Sequence, residues 1–195
     1  MPLAYSIHEG NTGRIRFHGT PAALLREQAD ALGLELIQAG THPDDFESVY
    51  LRLLEELVGK EVEGVVYGNI HLRDVRAWYE ERTRREGLSH LEPLWGGAPR
   101  EIAREFVDLG YRATVVGVDL TLGDPSWLGR ELDHAFVDQL EGSGVDACGE
   151  RGEYHTFVWD GPLFRKPVGF RTGRILERDG HQFLDLLSGL GGADG

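Results

Sequence analysis

The side chains best equipped for chemistry are Glu150, Glu153 and His155. They are two carboxylates and an imidazole within six positions, inside the glycine-punctuated run from Asp146 to Phe164. On an extended strand Glu153 and His155 share a face, because side chains alternate with a period of two. Such a trio can hold a divalent cation, move protons, or hold a cationic substrate. The helix-borne His-Glu-x-x-His spacing is absent, so no metal site is expected. The structural alternative is a tight, self-hydrogen-bonded hairpin loop. The density of charge and of glycine (Gly149, Gly152) favours function over mere connection. Cys148, the single cysteine, fits an inert buried thiol as well as a reactive one.

Other candidates lie upstream. Tyr67-Gly68-Asn69-Ile70 ends an apolar run and precedes a helix. In parallel α/β sheets ligands gather at such strand ends, and a helix start offers free N–H groups to an anion. Taken alone, the stretch reads more simply as a turn with Asn69 as helix cap. The next helix carries Arg73, Arg76, Glu80 and Arg84 on one face. Arg76–Glu80 and Glu80–Arg84 are spaced to pair, and spacing alone favours a solvated charged face. Trp95 reads first as a core plug and second as the wall of a pocket for a flat ring. His18, in Phe17-His18-Gly19, is a ligand contact or a packing histidine.

The elements that must position these groups follow from periodicity. Residues 3–7 and 14–18 read as short strands or loop around Gly10-Asn-Thr-Gly13. Thr20-Pro21 starts a helix with Thr20 as cap and Leu25, Ala29 and Leu32 inward. Leu34–Gln38 is a strand, and Pro43 opens a second helix. Gly64–Gly68 is a buried strand, and a third helix runs from about Ile70 to Glu86. A loop holds His90 to Trp95. Pro99 opens a fourth helix with Ile102, Phe106 and Leu109 inward, and Ala113–Val118 is an apolar strand. This alternation predicts an α/β fold: a Rossmann-like parallel sheet with helices on both faces. After 119 the rhythm changes to a loop, a helix near 131–141, and strand-like runs at 154–159, 167–177 and 181–187. These predict a smaller α+β unit with antiparallel pairing. The expected division is 1–122, 123–188, and a flexible glycine-rich tail at 189–195.

Composition bounds the partners. The chain has 195 residues and a net charge of −13, which argues against nucleic acid and anionic membrane surfaces. One cysteine excludes an intrachain disulfide and suits a reducing, cytoplasmic setting. No run reaches the roughly 18 apolar residues of a spanning helix, and the start lacks the pattern of a signal peptide. Glycine-rich phosphate loops and the Gly-x-Ser-x-Gly elbow are not found.

An ordered set of motifs goes further. His18-Gly19, Gln28-Ala29-x-x-Leu32-Gly33, Tyr67-Gly68-Asn69-Ile70, Pro93-Leu94-Trp95, Trp127-Leu-Gly-Arg130, Cys148-Gly-Glu-x-Gly-Glu-Tyr-His-Thr-Phe157 and Asp160-Gly-Pro-x-Phe164 together resemble the diphthine–ammonia ligase family. That family belongs to the PP-loop ATP pyrophosphatases of the adenine nucleotide alpha hydrolase group. The resemblance spans roughly residues 15–164, and its last block is the most specific.

It implies ATP and Mg²⁺ as cofactors, a small-molecule or protein-borne carboxylate activated as an acyl-adenylate, and ammonia as the second substrate. A homodimer is compatible with it. It implies an adenine pocket near His18, Gly19 and Tyr67–Ile70. It also implies an acceptor pocket of Glu150, Glu153, His155 and Thr156 with Cys148, Gly149, Gly152 and Tyr154, faced by Arg73, Arg76, Glu80 and Trp95. In that pocket Glu153 and His155 position or deprotonate the amine, and Arg76 steadies the carboxylate. Two departures stand out. The family's Ser-Gly-Gly-Lys-Asp-Ser phosphate loop is absent from this sequence, which is expected to start after it. Asn69 also stands where the family has aspartate. The alternatives are a catalytically impaired protein that binds a nucleotide or small metabolite, or pairs with a loop-bearing subunit, and a metal-dependent hydrolase built on Glu150, Glu153 and His155.

Overall fold

The computed structural model describes residues 2–16, 18–42 and 44–189. The flexible tail expected from Gly189 onward therefore falls almost wholly outside the described residues, as do Pro43 and Phe17. The chain begins with β1 (Leu3–Glu9), α1 (Ala22–Leu32), β2 (Glu35–Thr41), α2 (Phe46–Gly59), β3 (Gly64–Val66), α3 (Arg73–Arg85) and β4 (Ser89–Leu91). It continues with α4 (Pro99–Asp108), β5 (Arg112–Asp119), a short 3₁₀ turn, α5 (His134–Ser143), β6 (Tyr154–Asp160), β7 (Phe170–Arg178) and β8 (His181–Ser188).

The class is mixed α/β, but one continuous parallel sheet is not formed. β1 pairs with β2 and β3 pairs with β4, both parallel, as two separate two-stranded sheets. β5, expected to continue the parallel set, instead lies inside a four-stranded antiparallel sheet of order β6-β5-β8-β7. The physical reason is its partners: the chain passes through α5 before returning antiparallel as β6, and β8, from the β7–β8 hairpin, flanks the other edge of β5. The consecutive strands β7 and β8 pair antiparallel, as expected.

Periodicity placed most apolar faces correctly. In α2, Tyr50, Leu53, Leu54 and Leu57 are buried against Val65, Tyr67 and Leu88. In α1 the buried positions are Leu24, Ala29 and Ala31, with Leu25 and Leu32 only half-buried. Leu24 and Ala31 pack on Val116, Phe157, Leu184 and Leu186 of the antiparallel sheet. Gln28 locks that contact by donating to the Val158 carbonyl at 2.6 Å.

Several local expectations fail. Thr20 does not cap α1; Pro21 holds the N-cap position with no side-chain bond. Leu109 is exposed because α4 ends at Asp108, and Ala103 carries the buried face instead. For 14–18 the loop alternative holds among the described residues, 14–16 and 18, apart from an isolated bridge from Arg14 to Pro21. Ser89–Leu91, which overlaps the start of the expected His90–Trp95 loop, is β4. No helix among the described residues is long and apolar enough to cross a membrane.

Candidate functional site

The segment 146–156 sits between two groups of candidates and touches both. On one side Glu150 Oε2 accepts the Ile70 N–H at 3.2 Å. His71 Nε2 lies 2.5 Å from Asp146 Oδ2. The loop before β6 is therefore docked on the segment that follows β3. On the other side the ring of His155, on β6, lies 4.3 Å from that of His18. His18 and Ile70 were expected in one pocket; both contact this segment, Ile70 through Glu150 and His18 through His155.

Within the loop, Glu153 is buried and faces its own backbone. Its Oε1 accepts from the Asp146 N–H at 3.3 Å and its Oε2 from the Arg151 N–H at 3.0 Å. This is the self-hydrogen-bonded arrangement, so the geometry casts Glu153 as a positioning residue for the loop in place of the expected base. Gly149 and Gly152 sit at φ of 66° and 89°, a region glycine enters without the steric cost borne by other residues. Tyr154 is buried and donates its hydroxyl to the Ala147 carbonyl at 2.6 Å. Thr156 lies beside His18, whose ring it meets through its backbone.

The histidine pair is electrically neutral in character. Burial lowers the His18 pKa. Burial, reinforced by His18 and His181, pushes His155 down to about 3. An imidazole so weakly basic accepts a hydrogen bond at neutral pH but is a poor proton acceptor. His155 therefore suits orienting an amine better than deprotonating it.

Cys148 is inert. Its Sγ lies 3.1 Å from the Pro99 carbonyl. Burial, Asp146 and Glu150 raise its pKa to about 12. Because the thiolate is the nucleophile, alkylation by iodoacetamide at pH 8 is expected to run at least about a hundredfold slower in the folded chain than in urea. Equal rates would show an accessible thiol.

The helix face behaves as spacing predicted, with one addition. Arg76 pairs with Glu80 at 3.6 Å and Arg84 with Glu80 at 2.6 Å. Arg76 also lies 3.1 Å from Glu92 Oε2 and over the ring of Trp95 at 4.4 Å. Trp95 is thus not a core plug; it is half-buried beneath a guanidinium. Glu92 is the residue that sequence reasoning missed. Its side chain is 2 % exposed. It accepts from Asn69 Nδ2 at 2.7 Å and lies 3.0 Å from His90 Nε2. Asn69 is therefore no helix cap: α3 starts later, behind Leu72, with no side-chain cap. Little in the local pattern marked Glu92, because all its partners but His90 lie on the segment after β3 and on α3. Arg73 is exposed at the start of α3 and forms no ion pair among the described residues.

Tyr67 turns inward. Its hydroxyl bonds to those of Tyr50 and Thr83, the latter at 2.6 Å, and its ring stacks on His90. Burial raises its pKa to about 12. Its hydroxyl and ring are thus engaged within the core. Gly68 has open space where a side chain would be, and Gly19 lies against Phe183.

The expected cofactors were set against these residues. No group of three or more His, Cys, Asp or Glu among the described residues is arranged to hold a metal. The Ile70 N–H, in the stretch expected to contact the nucleotide, is already taken by Glu150. Among the described residues, then, no three-residue metal cluster is preformed, and Mg²⁺ held by one or two carboxylates with substrate phosphates is a matter for direct test.

Residues 3–90 match the model of the diphthamide synthase N-terminal domain, and residues 98–185 that of the C-terminal domain. The chain is 34% identical over 149 residues to human diphthine–ammonia ligase and 32% identical over 149 residues to the bovine protein, covering 73% of this chain and 55% of each relative. The rat enzyme is 31% identical over 157 residues, covering 75% of this chain and 58% of its own length. The chain spans about half the length of the curated relatives it matches.

Proposed function

The chain belongs to the diphthine–ammonia ligase family, and on that premise we propose that it builds the acceptor half of an amide-forming site. Its relatives are named for joining ammonia to diphthine. The substrates proposed here are a carboxylate, free or protein-borne, and ammonia. The observation that carries this reading is the docking of the 146–153 loop on the strand end, through Glu150 to Ile70 and Asp146 to His71. Arg73 follows Ile70 by three residues and Arg151 adjoins Glu150. Two exposed guanidinium groups thus flank the junction in sequence, as a carboxylate substrate needs. Arg76, proposed earlier to steady that carboxylate, is already matched by Glu80 and Glu92. It is better cast as the support of the Glu92–Asn69 contact. The neutral His155 imidazole orients the amine.

ATP dependence is part of the proposal and is tested directly. ATP and AMP are titrated calorimetrically into the chain and into a Glu150→Gln variant. Saturable heat from at least one nucleotide is expected, with altered affinity in the variant. No heat with either would sink ATP-dependent ligation for this chain. The occupied Ile70 N–H favours a second reading: a catalytically impaired protein that binds a nucleotide or small metabolite. Nucleotide binding without ammonium-dependent AMP release in the presence of carboxylates would select it.

A further inference from the structure

Two polar groups of the segment after β3 have a settled direction, the Ile70 N–H and the Asn69 side-chain amide. The first is occupied by Glu150. The second is set by Glu92. A carboxylate only accepts hydrogen bonds, so the half of the amide that faces Glu92 Oε1 at 2.7 Å is its NH₂ group. The amide is planar, and its oxygen therefore points elsewhere. Glu92 itself has little freedom to turn. Its side chain is 2% exposed, with Arg76 Nε 3.1 Å from Oε2 and His90 Nε2 3.0 Å from Oε1. Arg76 is held in turn by Glu80 and the Trp95 ring. Asn69 Oδ1 takes part in no hydrogen bond among the described residues. Asn69 is half-buried, and Gly68 beside it is exposed, with open space where a side chain would stand. A fixed acceptor thus lies just beyond the carboxyl end of a strand in a parallel pair, the place where α/β folds receive ligands.

We infer that Asn69 is a specificity-determining residue: Glu92 locks its amide so that Oδ1 receives an N–H donor of the ligand and turns away phosphate and carboxylate oxygens. The hydrogen bond that Nδ2 gives to the carboxylate polarises the amide and makes Oδ1 a stronger acceptor. A ligand oxygen at the same place would set acceptor against acceptor, which is selection by repulsion. The Ile70 N–H, which could have served such an oxygen, is spent on Glu150. The matching chemistry is an amine or an amino-substituted ring: ammonium, or the exocyclic amino group of adenine. The lock stands on geometry alone, whereas these two donors rest on the ligase reading. If Asn69 were only a structural tie between β4 and the segment after β3, its loss would weaken all ligands alike and change no preference among them.

Two arms separate the donors, both on the full chain. In the first, adenosine and inosine 5′-monophosphate are titrated calorimetrically; they differ in one substituent, an amino group in one and a ring carbonyl in the other. The adenine nucleotide is expected to bind at least about tenfold tighter, and Asn69→Ala to bring the two within about twofold. In the second, the ¹⁵N-labelled chain is titrated with ammonium chloride against potassium chloride. The Asn69 side-chain NH₂ signal, assigned by its absence from Asn69→Ala, is expected to shift saturably with ammonium only. A response in either arm names the donor and supports the assignment. A preference for adenine that survives Asn69→Ala counts as no response, and no response in both arms would overturn it. An ammonium shift without nucleotide binding would sink ATP dependence and leave the role of Asn69 standing, so the two failures are told apart. The lock is tested without a ligand. Asn69→Asp sets two carboxylates at hydrogen-bond distance, and its urea midpoint at neutral pH is expected to fall. Adding Glu92→Gln restores a donor–acceptor pair and is expected to recover most of the loss, a comparison that stands even where Asn69→Asp alone fails to fold. An unchanged midpoint in Asn69→Asp, or no recovery in the double variant, would overturn the lock and the assignment with it.

Discussion

Replacing Glu153 with alanine is expected to lower the unfolding free energy by about 2–4 kcal/mol, the cost of leaving two backbone donors without their charged acceptor. The residue is 5% exposed, and its carboxylate accepts the N–H groups of Asp146 and Arg151 on opposite oxygens. With it gone, both donors stay partly buried with no partner, and the loop loses the tie between its two ends. Glutamine is the sharper probe. Its amide keeps one acceptor oxygen but turns an NH₂ group toward the other N–H, donor against donor. Glu153→Gln should therefore also destabilise, by less than alanine. In a chain of this size each kcal/mol moves the melting temperature by about 2–4 °C. Urea titration checks the result: the midpoint should fall with an unchanged m-value. A residue that merely moved protons would show the opposite signature, with stability kept and turnover lost. Unchanged stability in both variants would restore Glu153 to the chemistry.

That outcome also marks the limit of what the sequence told. Glu150, Glu153 and His155 were recognisable as one segment because their density is local, and the segment is indeed where other candidates meet. Their separate roles were not legible. A carboxylate facing solvent and one facing its own backbone have the same letters, and only the turn made at Gly149 and Gly152 separates them. Helical pairing was readable for the complementary reason: Arg76, Glu80 and Arg84 follow a spacing fixed by helix geometry, and both pairs are present. Glu92 was invisible because Asn69 and Arg76 approach it from elements whose mutual placement is tertiary, and its local neighbour His90 alone gave no signal. The apolar faces of α1 and α2 were legible to within a residue. The partner of β5 was not, since a buried strand such as Ala113–Val118 reads alike in parallel and antiparallel sheets.

Gly149→Ala is expected to be as damaging as the loss of Glu153, through the backbone. The residue sits at φ 66°, and a Cβ there would stand 2.6 Å from the Tyr154 carbonyl oxygen. The left-handed conformation alone costs an alanine about 1–2 kcal/mol. The clash adds a packing cost of about 1–3 kcal/mol, because the obstructing atom belongs to the backbone and cannot swing aside. Relief requires the loop to move away from the start of β6. That movement pulls Tyr154 from the Ala147 carbonyl and carries Glu150 off Ile70, so the junction between loop and strand end opens. Gly152→Ala is the matched control: its φ is 89°, but nothing lies within 4 Å of its added carbon. It should show the conformational cost without the clash. If the urea midpoints of the two variants coincide, the packing of Gly149 on Tyr154 contributes nothing. If Gly149→Ala alone also raises hydrogen exchange at Ile70, the loop and the strand end act as one unit.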